Sequence, residues 1–178
     1  MPRISFCKRD KSIGEEVEFI MDVSKARSDF QMIGSRIISI TLKNDFVEIP
    51  DDEKVRRRIE LSHTIREREE EEDFCDDAEM HQGLVVLTVK VDIRRGKDKF
   101  KLNLEIEGFF VAPLTGYTRE GFREMLGING IASIYSIARA TAASISALAF
   151  PGGSVILPMI NVYEYSKEVT AHSNDLDT

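Results

Sequence analysis

The chain has 178 residues, of which 42% are hydrophobic and 31% charged, so it is long enough for one domain with a substantial core. Its net charge of −7 argues against a general nucleic-acid-binding protein, because such a protein needs basic surface to neutralise phosphates. Cys7 and Cys75 show no ligand-like spacing, and the polar start after Met1 is unlike a secretion signal. These features predict a reduced, cytoplasmic location.

Residues 1–29 are ambiguous in pattern. Their apolar residues alternate from Val17 to Val23 as in a strand, and the same stretch also fits one helical face. We therefore divide the chain into an N-terminal extension of uncertain structure (1–29), a main domain (30–168) and a flexible acidic tail (169–178).

Two strand candidates come first in the main domain. Between Ile33 and Leu42, the side chains of Ile38, Ile40 and Leu42 are expected to share a face, and the turn-forming Lys43-Asn-Asp sequence follows. Within 53–66, one parity carries the apolar residues and the other carries mostly charged ones. The acidic run 67–79 repels itself and predicts a solvated connection.

Two further strand candidates alternate more regularly. Apolar residues occupy every second position in 87–93 and again in 100–106, and Gly96 lies between the two runs. This pattern predicts a β-hairpin with its turn at Gly96. Phe109 and Phe110, at the end of the second run, must then point to opposite faces of the sheet. One of them can enter the core, and the other needs a different apolar partner.

A short helix is expected after the fourth strand. Thr118 is a good N-cap residue, and Phe122 would lie on the apolar face of the helix. Gly127 and Gly130 are expected to interrupt this helix before the next one begins.

A long helix with almost no charge is predicted from Ile131 to Ala149, and Pro151 with the glycines after it should end the helix. One face must pack on the sheet, and a helix with so little polar surface needs a second partner, which we expect to be another copy of the chain. Because the region also contains Arg139, prolines and glycines, we interpret it as an interface helix and a turn, not a membrane span. Its opposite face carries small residues that allow close helix contact: Ser133, Ser136, Ala140, Ala143, Ser144 and Ala147.

No motif in the chain brings catalytic groups together. The three histidines lack a cysteine or histidine at ligand spacing, and we interpret His63, on the apolar parity of a strand, as a hydrogen-bonded core residue. The acidic run lacks the fixed geometry of a calcium loop, and no phosphate-binding glycine loop is present. We therefore expect a protein that is not an enzyme and that uses no cofactor and no metal.

Apolar residues cluster at the end of the fourth strand and in the crossover after it. In one interpretation they cap the core beneath the long helix. In the other they form an adaptable groove for extended, unfolded polypeptide, and the sequence leaves both open. The candidate client-binding residues are Phe109, Phe110, Leu114, Tyr117 and Phe122.

This order of elements resembles the SecB family of protein-export chaperones over roughly residues 30–168. The resemblance is carried by Phe30-Gln31 and the strand to Asp45, Gly108-Phe-Phe110, Asn129-Gly130, Ile134-Tyr135, Arg139, and Leu157-Pro158 through Asn161. It implies an α+β fold in which a long helix packs on a four-stranded antiparallel sheet. It also implies assembly as a homotetramer, a dimer of dimers, without an integral membrane segment.

The functional implication of this resemblance is an ATP-independent holdase. Such a chaperone binds unfolded or precursor polypeptides and passes many of them to the SecA motor for translocation. Phe109, Phe110, Leu114 and Tyr117 would then lie near the client groove, and Asp45 and Glu48 resemble acidic positions that dock the motor. Two alternatives remain: a SecB-like chaperone dedicated to an antitoxin or another single client, and an oligomeric scaffold or regulatory protein without chaperone activity.

Overall fold

A computed structural model describes residues 28–50, 54–67, 80–151 and 153–167. The predicted N-terminal element, most of the acidic run and the predicted C-terminal tail lie outside these ranges. Four strands form one antiparallel sheet in the spatial order β1-β4-β3-β2. They are β1 (Gln31–Asn44), β2 (Arg56–Glu67), β3 (Met80–Arg95) and β4 (Asp98–Pro113). All four predicted strands are confirmed.

The helical part follows the sheet as one continuous path. Helix α1 (Arg119–Met125) leads through a π-helical turn (Leu126–Gly130) into helix α2 (Ile131–Ala149). Thr118 caps α1 as predicted, since its Oγ1 accepts a hydrogen bond of 3.1 Å from the Gly121 N–H. The α+β fold class, a four-stranded antiparallel sheet packed by a long helix, is confirmed.

The sequence led us to expect that the two glycines between α1 and α2 would interrupt the helix. Instead, the helical path continues through them as a π-helical turn. Gly127 and Gly130 are both buried within the π-helical turn. A Cβ atom on Gly130 would lie 3.0 Å from Val85 of β3, so the missing side chain lets this turn approach the sheet. The glycines therefore mark a change of helical geometry at a close contact, where tertiary packing outweighs their low helix propensity.

The core lies between α2 and the two central strands. In β3 and β4 every second side chain faces the helices, and register pairs such as Leu87–Ile106 and Val89–Leu104 are fully buried. Gly96 forms the hairpin turn with a φ of 61°, a conformation that glycine adopts without strain. The buried stripe of α2 consists of Ile131, Ile134, Tyr135, Ala138, Ala142 and Ser146.

Two glycines in the central strands bring the helices unusually close to the sheet. A Cβ on Gly108 of β4 would lie 2.2 Å from Ile134 Cδ1, and one on Gly83 of β3 would lie 2.5 Å from Leu126 Cδ1. Any other residue at these positions would push the helices away. The site at this end of the sheet depends on that contact.

Strand β1 lies at one edge of the sheet and, among the described residues, pairs with β4 alone. Register irregularities lie between Met32 and Gly34 and between Ile37 and Ser39. The predicted common face holds for Ile40 and Leu42, which lie opposite Leu104 and Leu102, but Ile37 takes the position opposite Ile106 because Ile38 falls within the irregularity. The added residue at the bulge reverses the alternation, which a strict period of two does not anticipate.

At the other edge, β2 has the predicted alternation. Leu61 and Ile65 lie opposite Val89 and Val85 of β3, on the core side. Glu67, expected within the solvated connection, is the last residue of β2 and forms ion pairs with Arg119 at 3.0 Å and Arg123 at 3.4 Å. These contacts hold the end of β2 against α1.

The apolar return after α2 is confirmed and is held by side chains of the helix. The Tyr135 hydroxyl donates to the carbonyl of Pro158 at 2.7 Å, and Arg139 Nε donates to the carbonyl of Leu157 at 3.0 Å. Buried Ser146 donates to a carbonyl of its own helix and accepts the Val155 N–H at 2.7 Å. A helical turn over 162–167 then closes the described chain.

Within the described ranges, one helical stretch, Arg119–Ala149, is long and apolar enough by length and composition to cross a membrane. The core helix of a globular domain meets the same criteria. The buried stripe of α2 packs on the sheet and accounts for part of the apolar character of this stretch.

Candidate functional site

The sheet separates the candidate client-binding residues into two groups. Phe110 and Phe122 are fully buried on the side that carries the helices. Phe109 is half-buried and belongs to the other parity of β4, on the opposite, open face. The prediction that Phe109 and Phe110 occupy opposite faces is confirmed, and Phe110 is the one that enters the core.

On the helix side, the rings of four residues form an aromatic cluster at the crossover end of the sheet. The Phe30 ring stacks on Phe110, with centroids 5.3 Å apart and an interplanar angle of 16°, and meets Phe122 in a tilted contact at 5.9 Å. His81 stacks on Phe122 at 5.3 Å, and its Nε2 donates to the carbonyl oxygen of Tyr117 at 2.8 Å. This aromatic cluster joins the segment before β1, strands β3 and β4, and α1, and the Tyr117 carbonyl ties it to the crossover.

On the open face, Phe109 belongs to a smaller apolar patch. In the register it lies between Gly34 of β1 and Leu84 of β3. A Cβ added to Gly34 would meet no atom within 4 Å, so the surface beside Phe109 is open on that flank. Nearby, the ion pair between Arg36 and Glu107, 2.8 Å long, gives the open face its polar surroundings.

Leu114 is the most exposed of the five candidates, with 46% of its surface accessible. It lies in the turn that leads from β4 to α1, where the Gly116 N–H donates to the carbonyl of Pro113 at 3.1 Å. Tyr117, in the same crossover, is half-buried. The crossover therefore presents apolar surface and is tied to the aromatic cluster through the bond between the Tyr117 carbonyl and His81.

Sequence reasoning missed a second exposed apolar surface, the β1 strip, which consists of Met32, Ile33, Ile37, Ile38 and Ile40. All five are exposed, because α2 packs on β3 and β4 and leaves this edge strand uncovered. The sequence signal was an isoleucine-rich strand with two apolar residues in succession. Five large apolar side chains on one exposed strand favour a partner surface.

The small-residue face of α2 is largely open. Ser136, Ala140, Ser144 and Ala147 are exposed, whereas Ser133 and Ala143 are half-buried. The hydroxyls of Ser133 and Ser136 donate to helix carbonyls four residues earlier, at 2.8 and 2.9 Å. Those hydroxyls already have partners, so a second surface can cover them without leaving an unsatisfied donor. Exposed Leu148, Ile156 and Met159 add large apolar side chains on α2 and on the return.

Asp45 and Glu48 are exposed, but they lie at the other end of the sheet from the crossover. The Asp45 N–H donates to the carbonyl of Lys99 at 2.9 Å, beside the hairpin turn. Strand β1 separates this end from the aromatic cluster by about 40 Å, from its length and the rise per residue. The structure therefore does not bring the two predicted sites together.

His63 and Tyr165 form a half-buried titratable pair. The His63 Nδ1 lies 2.9 Å from the Tyr165 hydroxyl, which ties the C-terminal turn to β2. Burial lowers the pKa of His63 and raises the pKa of Tyr165, because it penalises the charged form of each group. Among the described residues, no group of three or more His, Cys, Asp or Glu side chains is placed to hold a metal ion.

No protein-family model and no curated protein matches this chain. Its fold is similar to that of the SecB-like chaperone Rv1957 of Mycobacterium tuberculosis, solved in complex with a ChAD peptide from the Rv1956 HigA1 antitoxin, at 16% identity and a TM-score of 0.55. The match covers 78% of this chain and 94% of that one. A protein of unknown function from Streptococcus agalactiae matches at 10% identity and a TM-score of 0.43, over 73% of this chain and 97% of that one. The α+β fold of this chain, a four-stranded antiparallel sheet with a long helix, therefore matches that of the Mycobacterium tuberculosis neighbour.

Proposed function

We propose that the protein is a SecB-like chaperone that holds unfolded polypeptide in the cytoplasm without ATP. The observation that carries this proposal is the apolar surface left exposed on the crossover and on β1, in a fold similar to a chaperone solved with a bound peptide. Apolar contact contributes about 25 cal/mol per Å² of buried area, less the cost of ordering the client. Such binding needs no catalytic group.

The client contacts in this proposal are made by the accessible members of the candidate set. Leu114 is exposed, and Phe109 and Tyr117 are half-buried, so their surfaces are available to an extended chain. Phe110 and Phe122 support these residues from the core. A charge at either buried position would unfold the chain, since an unpaired buried carboxylate is very unfavourable.

The test is Leu114→Asp in the full chain. This variant should suppress aggregation of a denatured model client several-fold less well, because the charge disrupts apolar contact in the crossover. Val47→Asp is the matched control: Val47 is 79% exposed and lies beyond the opposite end of β1. Equal suppression by the wild-type chain and Leu114→Asp, with circular dichroism unchanged, would contradict the proposed site. A wild-type chain that does not suppress aggregation would exclude a general holdase and leave a dedicated chaperone, or a scaffold or regulatory role.

A chaperone dedicated to an antitoxin is the second candidate. The observation that favours it is the antitoxin peptide bound by the structural neighbour. The two candidates differ in client range: a general holdase should bind several unrelated unfolded proteins with similar affinity, whereas a dedicated chaperone should bind one of them at least tenfold more tightly. Competition between labelled clients measures this ratio directly.

Export through the SecA motor is a separate part of the proposal, based on Asp45 and Glu48. Their exposed carboxylates lie far from the crossover, so reversing both charges should weaken binding to purified SecA while client binding stays unchanged. Charged rim contacts mainly affect the association rate, and this difference should shrink at high salt. Unchanged SecA binding, or no binding by the wild-type chain, would favour the dedicated chaperone.

We also infer that the chain forms a homotetramer, a dimer of dimers, in which the small-residue face of α2 contacts another subunit. The support is the exposed row of alanine and serine residues next to Leu148, Ile156 and Met159. Large exposed apolar side chains beside small ones provide a surface that another subunit can cover closely.

A further inference from the structure

Phe30 belongs to the aromatic cluster without belonging to the sheet. It lies in a bend just before β1, and its nearest strand neighbour, Gln31, begins the pairing with Val111 of β4. Only 8% of its surface is exposed. Its ring therefore lies in the core while its backbone stays outside the ladder.

The segment that carries this ring is held mainly by its own hydrogen bonds. The Phe30 N–H donates to Ser28 Oγ at 3.2 Å, and the Gln31 side-chain amide donates to the carbonyl oxygens of Ser28 and Phe30. These bonds join residues 28–31 to one another. Phe30 meets the body of the fold through its ring, which contacts Phe110 and Phe122 and belongs to the hydrophobic core.

The place that Phe30 fills is shaped for a flat ring. The Phe30 ring is stacked on the Phe110 ring, with 16° between the two planes, and is tilted by 55° against the Phe122 ring. Such offset and tilted arrangements favour an aromatic side chain over an aliphatic one beyond the area that each buries. The exposed Leu114 and the half-buried Tyr117 belong to the crossover. The Tyr117 carbonyl accepts a hydrogen bond from His81, whose ring stacks on Phe122.

We propose that Phe30 is an intramolecular plug, and that the place it fills is the binding site for an aromatic side chain of a client polypeptide. A client ring enters when residues 28–30 swing away. This movement opens the Gln31 side-chain bonds to Ser28 and Phe30 but leaves the pairing of β1 with β4 in place, because that pairing begins at Gln31. This inference rests on the proposed function and deepens it, by naming the side-chain class that the site accepts. It also makes the free chain self-inhibited, since client and plug compete for one position.

The chain contains no tryptophan, so Phe30→Trp creates a single fluorescent reporter at the plug. Phe46→Trp is the matched control, because Phe46 is 7% exposed and lies beyond the opposite end of β1. Two dye-labelled, tryptophan-free peptides serve as clients, one with phenylalanine and one with leucine at the same position. Dye anisotropy reports binding, and tryptophan emission reports the environment of the reporter.

Saturation with the phenylalanine peptide should shift the Phe30→Trp emission to longer wavelength, as the indole moves into water, and should leave Phe46→Trp unchanged. Phe30→Ala should bind the phenylalanine peptide roughly tenfold more tightly than the wild-type chain, because no plug must be displaced. The affinity for the leucine peptide should rise less in the same variant. In the wild-type chain, hydrogen exchange at residues 28–31 should speed up when the phenylalanine peptide binds, a readout that requires no substitution.

The outcomes separate the plug from the proposed function. If the peptides bind but residues 28–31 stay protected and Phe30→Ala leaves the affinity unchanged, Phe30 is an ordinary core residue and the plug is refuted. If neither peptide binds the wild-type chain or Phe30→Ala, the proposed function itself fails. Equal gains for the leucine and phenylalanine peptides would refute the aromatic preference.

Discussion

Gly108→Ala is the sharpest test of how α2 packs on the sheet. The new Cβ would lie 2.2 Å from Ile134 Cδ1, 2.9 Å from Ile134 Cγ1 and 3.0 Å from Phe110. Carbon atoms pack favourably at about 3.5–4.0 Å, so the nearest atom must move by more than 1 Å. Ile134 is fully buried, and its surroundings leave little room for that movement.

The expected loss in the free energy of unfolding is about 1–3 kcal/mol, the usual cost of forcing an extra carbon into a packed core. For a chain of this length, that corresponds to a fall in melting temperature of roughly 2 to 12 °C. Gly34→Ala is the matched control, because the added Cβ meets no atom within 4 Å. It should leave stability unchanged or raise it by up to about 1 kcal/mol, by restricting the unfolded chain.

Urea unfolding at one fixed protein concentration measures both variants, since an oligomer's stability depends on concentration. Ile134→Val removes the Cδ1 atom that the new methyl group meets first. Gly108→Ala should therefore cost less in the Ile134→Val background, with a coupling of about 1 kcal/mol. Equal stability of Gly108→Ala and Gly34→Ala, to within about 0.5 kcal/mol, would refute the close contact on which this reasoning depends.

Ser146→Ala removes the acceptor of the buried Val155 N–H, so urea unfolding should show a loss of about 1–3 kcal/mol; a loss below about 0.5 kcal/mol would contradict the bond's role. Burial lowers the pKa of His63 below 6.5, so the unfolded chain takes up this proton first. Stability should therefore fall as the pH drops from 6.5 towards the lowered pKa. Thermal melts of His63→Gln should show a smaller fall over the same pH range. Equal dependence of the melting temperature on pH in both chains would refute this linkage. Ala140→Glu with Ser144→Glu places like charges on the exposed face of α2 and should lower the particle mass in light scattering. An unaltered mass would remove that face from the proposed interface.

Much of the helical and hairpin structure was predictable because its determinants are local. The Thr118 hydroxyl caps a helix within three residues of itself, and the stretch 131–149, which carries the single charge of Arg139, ends where Phe150 turns extended before Pro151. The β3–β4 hairpin follows from alternation around Gly96. Each of these features depends on neighbours within one turn or one strand pair, which a single sequence displays.

The candidate site was only partly predictable, because the exposure of a side chain depends on what packs above it. Alternation assigned Phe109 and Phe110 to opposite faces, but it could not say which face the helices would cover. The bulge at Ile38 and the exposure of β1 were hidden for the same reason. The entry of Phe30 into the aromatic cluster brings together residues 80 positions apart in sequence, and no local pattern indicates it.

By itself, the sequence determined the number, type and order of the elements, since backbone hydrogen bonding and the period of apolar residues act over short distances. Tertiary structure alone decided where α2 lies across the sheet, and thereby which apolar side chains are buried and which stay exposed. The position of the helical path is set by close contacts of Gly83 with the π-helical turn and of Gly108 with α2, between segments far apart in the chain. Such contacts depend on the shapes of both partners, which the spacing of residues along one chain does not encode.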